Sequence, residues 1–469
     1  MIERFDLCIL GAGSGGLSVA AGAAQLGMKV ALLEPGAMGG DCLNSGCVPS
    51  KALLAAGKAA HAGQAAATFG VSYDPPRVDF GAVKDHVAGV IETIAPVDSQ
   101  ERFEGLGCTV IRAAGKFVDR RTVEADGRRI RARRFVIATG SRAGVPPIPG
   151  LADGPYLTNE TIFSLRERPE HLIIIGGGAI GCEMAQAHRR LGCAVTIVDL
   201  GPILPRDDAD LVDIVRQTLM GEGIAIIERA TIERVEHDAG TVRLVLGDGQ
   251  TVEGSHLLVA AGRTPTVEGL GLEAAGVSYS KKGIAVDPRR RTTNKRIFAI
   301  GDCREGPQFT HSAGYEAGIV IQNALFRIPA KVHYAALPWV TFTDPELAQV
   351  GLTEAAAKAA HGDDVRILHW RFDENDRAQA EKRTEGMAKV VLVKGKVAGA
   401  SIAGPNAGEL IQTWTLAITA KLSLRQITGI IAPYPTYAEI NKRLASSAYT
   451  ASLFSDRTRT LVRFLRWFG

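Results

Sequence analysis

No apolar run in the chain reaches the ~18 residues that a membrane-spanning helix needs, so no spanning helix is expected. The first residues, Met1-Ile2-Glu3-Arg4-Phe5-Asp6, enter a strand almost at once. They lack the basic-then-apolar order of a secretory signal, which points to the cytoplasm. Charge of one sign is not in excess either. The 54 Lys and Arg against 50 Asp and Glu leave +4 over 469 residues, too little to suggest a nucleic-acid partner. Cysteines are few and odd in number: Cys8, Cys42, Cys47, Cys108, Cys182, Cys193 and Cys303. That scatter excludes a disulfide framework and fits a reducing compartment. Only Cys42 and Cys47 stand close together. Their spacing is not a standard zinc spacing, and no second Cys or His pair completes four ligands, so no metal site is expected. The other five cysteines read as small core residues.

What is present is a soluble composition, 46% hydrophobic and 22% charged, in a chain too long for one ordinary core, so about three domains are expected. One supersecondary unit occurs twice. The first copy runs from Leu7-Cys8-Ile9-Leu10 into Gly11-Ala12-Gly13-Ser14-Gly15-Gly16, through a small-residue helix, to Val30-Ala31-Leu32-Leu33-Glu34. The second runs from Leu172-Ile173-Ile174-Ile175 into Gly176-Gly177-Gly178-Ala179-Ile180-Gly181 and on to Val195-Thr196-Ile197-Val198-Asp199. In both copies the acid follows the last glycine by 18 residues (16 to 34, 181 to 199). A strand, a glycine loop, a helix and an acid-tipped strand, repeated, predict two dinucleotide sites. Gly11 and Gly176 make the tight turn, and Gly13 and Gly178 let the backbone approach a pyrophosphate. Gly16 and Gly181 allow the helix to pack close, and Glu34 and Asp199 accept a ribose diol. Asp199 would repel a 2′-phosphate, so NADH is favoured over NADPH. Arg189 and Arg190 fall in the preceding helix and read as a solvated face.

Further strand ends close on Thr139-Gly140, on Gly262-Arg263 and on Gly301-Asp302, where Asp302 is well placed for a ribityl or phosphate group. Between the first nucleotide unit and these lies Gly39-Gly40-Asp41-Cys42-Leu43-Asn44-Ser45-Gly46-Cys47-Val48-Pro49-Ser50-Lys51. A thiol pair beside a dinucleotide site can pass electrons between a bound redox cofactor and an external group. A helix is expected from Val48 onward, placing Cys47 near its positive end.

Together these motifs resemble the flavoprotein disulfide reductases, the family of dihydrolipoamide dehydrogenase, glutathione reductase and mercuric reductase, over essentially the whole chain. The resemblance implies an α/β fold with two Rossmann-like nucleotide-binding domains and a C-terminal α+β dimerisation domain. FAD would occupy a discontinuous domain of residues 1–150 and 265–335, NAD a domain of residues 151–264, and residues 336–469 would form the interface of a homodimer. It further implies that Cys47 contacts the flavin and that Cys42 exchanges with a small or protein-bound disulfide. Lys51 would sit beside the flavin, paired with Glu183. Hydride from NADH would reduce FAD, which reduces the pair through Cys47; the same parts serve the reverse direction.

The sequence departs from the family in its C-terminal domain. Where the family commonly carries His-Pro-Thr-x-x-Glu, with the His as acid–base partner of the exchanging thiol across the dimer, this chain reads Tyr434-Pro435-Thr436-Tyr437-Ala438-Glu439. A phenol with pKa near ~10 is a poor base at neutral pH, whereas a histidine near ~6.5 is a good one. Tyr434 is therefore expected to donate a proton or to pack the interface, with Glu439 orienting the phenol, and lipoamide activity is expected to be weak. Mercuric reductases carry a vicinal cysteine pair near their C-terminus, and no cysteine follows Cys303 here, which argues against Hg(II) reduction. Two rivals remain open: a diaphorase passing electrons to quinones or metal ions, and a component that chiefly binds a lipoyl-carrying complex. His311 is expected near the flavin as a contact or packing residue. The basic, amphipathic segment Arg457 to Gly469 either docks on its own subunit or touches a membrane surface or partner.

Overall fold

The computed structural model describes residues 2–469, apart from the side chains of residues 64 and 65. The first apolar strand, Ile2–Leu10, is central to a sheet because its C-terminal half is buried on both faces. It pairs in parallel with Val30–Leu33 on one side and with Arg128–Ile137 on the other, and Cys108–Ile111 extends the sheet beyond Val30–Leu33. The strand Ile297–Ala299 returns from far along the chain to pair in parallel with residues Phe135 to Ile137, bringing Gly301 and Asp302 to the same sheet edge as the first glycine loop.

The second glycine loop follows His171–Ile175 in a smaller parallel sheet ordered Ala225–Ile227, Ala194–Val198, His171–Ile175 and His256–Val259. Both loops turn the same way for the same reason. Gly11 has φ 103° and Gly176 φ 112°, and a Cβ on either would strike the carbonyl of Ala138 or Ala260 respectively. The helices that follow, Ser14–Gln25 and Ala179–Arg190, begin on Gly13 and Gly178 with no side-chain cap, so their first N–H groups stay open to a ligand.

The C-terminal part is a five-stranded antiparallel sheet ordered Pro338–Thr341, Glu346–Gly351, Lys396–Gly404, Met387–Val393 and Val365–Arg371. Its core is closed by Trp414, fully buried, whose indole N–H donates to Asn441 at 2.7 Å. Arg190 and Arg189 are not a solvated face. The Arg190 side chain is only 6% exposed and forks onto Glu222 (2.6 Å) and Asp344 (3.1 Å), while Arg189 Nε donates to the Glu222 carbonyl. Both guanidiniums therefore tie the second nucleotide unit internally, and Arg190 ties it to the C-terminal sheet as well. Cys8, Cys108, Cys182, Cys193 and Cys303 are all buried, as expected of core residues. No helix among the described residues is long and apolar enough to cross a membrane.

Candidate active site

A single cavity of about 1730 Å³ runs from the first glycine loop, past the thiol pair, to the second. Its walls include Gly11, Gly13, Glu34, Thr139, Gly140 and Asp302 at one end and Gly176, Gly178 and Asp199 at the other. Cys42, Cys47, Lys51, Glu183, Gly262, Arg263, Gly301 and His311 also line it. Gly16 and Gly181 are absent from the walls because they lie beneath the loops, where a Cβ would collide with the carbonyls of Gly11 and Gly176.

The two acids that end the strands are already oriented by their own loops. Glu34 accepts from Ala12 N (2.7 Å) and Gly36 N (2.8 Å), and Asp199 accepts from Gly177 N (2.5 Å) and Gly201 N (2.6 Å). Each carboxylate oxygen keeps a free lone pair for a ribose hydroxyl. Open space beyond Gly140, Gly178 and Gly262, where a Cβ would meet nothing, together with the uncapped helix N-termini, fits a dinucleotide at each loop. Thr139 donates its hydroxyl to the Thr266 carbonyl at 2.7 Å and so ties the two halves of the first unit together.

Around Asp302 the contacts are built in layers. Ser141 donates to its Oδ2 at 2.7 Å, and Arg263 donates to Ser141 Oγ at 2.7 Å and lies 3.7 Å from Asp302 itself. Burial raises the Asp302 carboxyl above its ordinary value, against the pull of Ser141 and Arg263. Arg263 also reaches Asp41 at 3.1 Å, and Asp41 in turn holds Ser45 and Asn159, each at 2.8 Å. The short helix Gly40–Asn44, which carries Cys42, is thus anchored to the second nucleotide unit through Asn159 and Arg263.

Cys47 is the first residue of the helix Cys47–Ala66, where the helix N-terminus favours negative charge. Its thiol is held well below the usual cysteine range, chiefly by a hydrogen bond from Cys42, then by the Thr310 hydroxyl and the Lys51 charge. Cys42 moves the other way, because it gives up that hydrogen bond and is desolvated. The hydrogen bond between them therefore favours the proton on Cys42 and the negative charge on Cys47. Thr310 Oγ1, 3.5 Å from Cys47 Sγ, escaped sequence reasoning. A threonine opening a helix 263 residues away carries no local signal, and only the tertiary fold places it there.

This arrangement predicts a pH midpoint for alkylation of the pair below the ~8.5 of a free cysteine. Thr310→Val should move that midpoint upward; iodoacetamide trapping across pH, with sites mapped by mass spectrometry, checks it. An unmoved midpoint would remove Thr310 from the site.

Lys51 Nζ meets Glu183 Oε2 at 2.7 Å and lies 4.3 Å above the Phe342 ring. The other Glu183 oxygen accepts from Phe342 N at 3.0 Å, so one nearly buried carboxylate joins three segments of the chain. His311 Nε2 contacts the Pro338 carbonyl at 2.8 Å, and its ring stacks on Phe309 at 5.1 Å.

Tyr434 and Glu439 do not line the cavity of their own chain. The Tyr434 phenol, 69% exposed, donates to Asp376 Oδ2 at 2.9 Å. Glu439, expected to orient it, instead faces Arg443 at 4.0 Å, one turn along its own helix. The difference has a geometric cause. The segment from Asn375 to Glu381 grips the loop at three points: Asp376 on Tyr434, Asn375 Nδ2 on the Thr436 carbonyl (3.1 Å) and Glu381 on the Tyr437 hydroxyl (2.6 Å). The Asp376 hydrogen bond raises the Tyr434 pKa further, away from any role as a base.

The paired nucleotide loops, the thiol pair between them and the antiparallel sheet that follows define a flavoprotein disulfide reductase. Residues 5–317 match the pyridine nucleotide-disulphide oxidoreductase family and residues 337–445 its dimerisation domain; neither match extends past residue 445. The chain belongs to this family of FAD- and pyridine nucleotide-dependent enzymes, and the dimerisation domain supports a homodimer. It is 37% identical to mercuric reductase of Streptomyces lividans, over 96% of this chain and 97% of that one. It is 35% identical to dihydrolipoyl dehydrogenase of Geobacillus stearothermophilus, over 94% and 96%. The HOCl-induced flavoprotein disulfide reductase RclA from Escherichia coli, solved as a Cu(II) complex, superposes with a TM-score of 0.84 at 27% identity, covering 95% of this chain and 99% of that one. LpdA from Mycobacterium tuberculosis superposes with a TM-score of 0.87 at 25% identity, again covering 95% and 99%.

Proposed function

We propose that this enzyme is an NADH-linked reductase of an external disulfide, running through Cys42 and Cys47. The observation that carries the reading is the continuous cavity joining both glycine loops to the thiol pair and to Lys51–Glu183. On this reading residues 1–150 and 265–335 hold FAD through Gly11, Gly13, Glu34, Thr139, Gly140, Gly301 and Asp302. Residues 151–264 hold NAD through Gly176, Gly178, Asp199, Gly262 and Arg263, and the C-terminal domain, matched as a dimerisation domain up to residue 445, forms the subunit interface. Bound FAD supplies two-electron transfer between nicotinamide and the thiol pair.

The chain's own residues then perform the exchange. The Cys47 thiolate takes the Cys42 proton along their mutual hydrogen bond, and the freed Cys42 thiolate attacks one sulfur of the external disulfide. A mixed disulfide forms and one substrate thiolate leaves. On this reading the homodimer would bring Tyr434 of the partner subunit to this step as a hydrogen-bonding group, because within each chain its O–H is held by Asp376 and its oxygen is free to accept from a thiol. Cys47 loses its proton to the departing sulfur and attacks Cys42, releasing the second substrate thiol and leaving the Cys42–Cys47 disulfide. Lys51, with Glu183, keeps a positive charge at the thiol end of the cavity, where electron density arrives.

Cofactor choice follows from Asp199. A carboxylate already fixed by two backbone N–H groups cannot turn away from a 2′-phosphate. We expect kcat/KM for NADH to exceed that for NADPH by about tenfold or more, the size of one charge–charge penalty of roughly 1–2 kcal/mol. Steady-state kinetics with both nucleotides decides it, and equal values would remove Asp199 as the selector.

A second reading, reduction of a metal ion, is favoured by Tyr434 at the His position and by the mercuric reductases and the RclA Cu(II) complex among the relatives. Its test is NADH consumption with Hg(II) or Cu(II) as sole acceptor, compared with a disulfide acceptor at the same nucleotide concentration.

A further inference from the structure

The helix Asp456–Leu465 and the turn Arg466–Phe468 that follows it bury no residue against the rest of the subunit. Docking on its own subunit, one of the expectations for this segment, is therefore not what the structure shows. Ser455 Oγ caps the helix by accepting from Thr458 N at 3.3 Å, and Phe464 packs edge-on against Phe468 at 5.3 Å.

Its two sides are chemically distinct. At 100° per residue, Leu461, Phe464, Leu465 and Phe468 fall along one side, exposed by 53, 59, 52 and 75%. Arg459, Arg463 and Arg466 fall on the opposite side, Arg457 falls within the apolar side at the start of the helix, and Trp467, 88% exposed, lies near the border between them. Four arginines stand against one acid, Asp456, which reaches only Arg459 at 3.5 Å. Among the described residues, Arg457, Arg463 and Arg466 have no carboxylate within ion-pair distance. Leu453 and Phe454, also exposed, continue the apolar surface into the preceding helix.

We propose that this segment docks the enzyme on an anionic phospholipid surface, with the Leu461–Phe468 stripe among the acyl chains and the arginines on headgroup phosphates. The chemistry selects that occupant. An apolar stripe alone fits any hydrophobic partner, but a parallel row of three arginines, of which Arg463 and Arg466 have no acid partner and Arg459 only Asp456, calls for a dense field of negative charge at the same depth as the apolar boundary. A tryptophan at the border, with one polar N–H on an apolar ring, suits the same boundary. The proposal is independent of which acceptor the thiol pair reduces.

The full-length, FAD-loaded protein is mixed with vesicles of phosphatidylcholine alone or of phosphatidylcholine with phosphatidylglycerol, and sedimented. Expected is co-sedimentation with the anionic vesicles and weakening at raised ionic strength. Each arginine lost should lower the partition coefficient by about fivefold, so R463Q/R466Q falls by more than an order of magnitude. F464S/F468S should lose vesicle binding, while its sedimentation velocity remains that of the unsubstituted protein and NADH still reduces its flavin. No preference for anionic vesicles overturns the proposal. So does retained vesicle binding by F464S/F468S, or a drop of that variant from dimer to monomer, which would make a second copy the occupant of the stripe.

Discussion

Cys42→Ser is expected to lower NADH-driven disulfide reduction by more than about a thousandfold while NADH still bleaches the flavin. The hydroxyl is not ionised at neutral pH and cannot form the mixed disulfide, so the exchange loses its nucleophile outright. The cofactor sites are untouched, because Cys42 lies in the short helix Gly40–Asn44, held by Asp41 through Ser45, Asn159 and Arg263, none of which bonds its sulfur. Stopped-flow absorbance for the flavin and thiol release for turnover separate the two steps. The same variant discriminates the rivals: undiminished turnover with quinones or metal ions would show electrons leaving without the thiol pair, and the enzyme would be a diaphorase.

Tyr434→His is expected to raise the rate with lipoamide by about a hundredfold, the lower end of what a positioned acid–base group contributes. Tyr434 has its proton fixed on Asp376 and its pKa pushed up, so it neither accepts nor readily gives a proton at pH 7. An imidazole at the same place titrates near neutrality, and Asp376 is positioned to hold one ring N–H, leaving the other nitrogen for the thiol. Adding Asp376→Ala to the histidine variant should remove part of the gain. A rate that falls or does not change would mean that Tyr434 suits a different acceptor and that the exchange needs no base beyond Cys47. Glu439→Gln, by contrast, should leave the Tyr434 hydrogen bond in place, because Glu439 faces Arg443.

Much of the nucleotide chemistry was legible in the chain because it is local. The turn after Leu10 or Ile175 needs glycine for a positive φ, and the helix that follows needs a glycine where it crosses that turn. An acid must end the next strand, and all of these fall within about 25 residues of one another. The same holds for Cys47 and Lys51, four apart on one helix, and for Cys8 and Cys303, whose apolar neighbours already mark them as interior.

What depends on contacts between distant segments was not legible. Thr310 beside Cys47, Phe342 over Lys51 and Asp376 under Tyr434 join residues 263, 291 and 58 positions apart (47 to 310, 51 to 342, 376 to 434). No periodicity or motif encodes such distances. Arg190 illustrates the same limit: a basic residue in an amphipathic helix looks solvated until the fold sets Glu222 and Asp344 against it. The sequence by itself determined two nucleotide loops, a thiol pair between them and the missing histidine, because backbone sterics and nearest-neighbour chemistry act over a few turns of chain. The tertiary structure alone decided which partners tune those groups and that the arginine-rich terminal helix buries no residue against its own subunit, because hydrogen bonds and burial are settled by what packing brings within 3–4 Å.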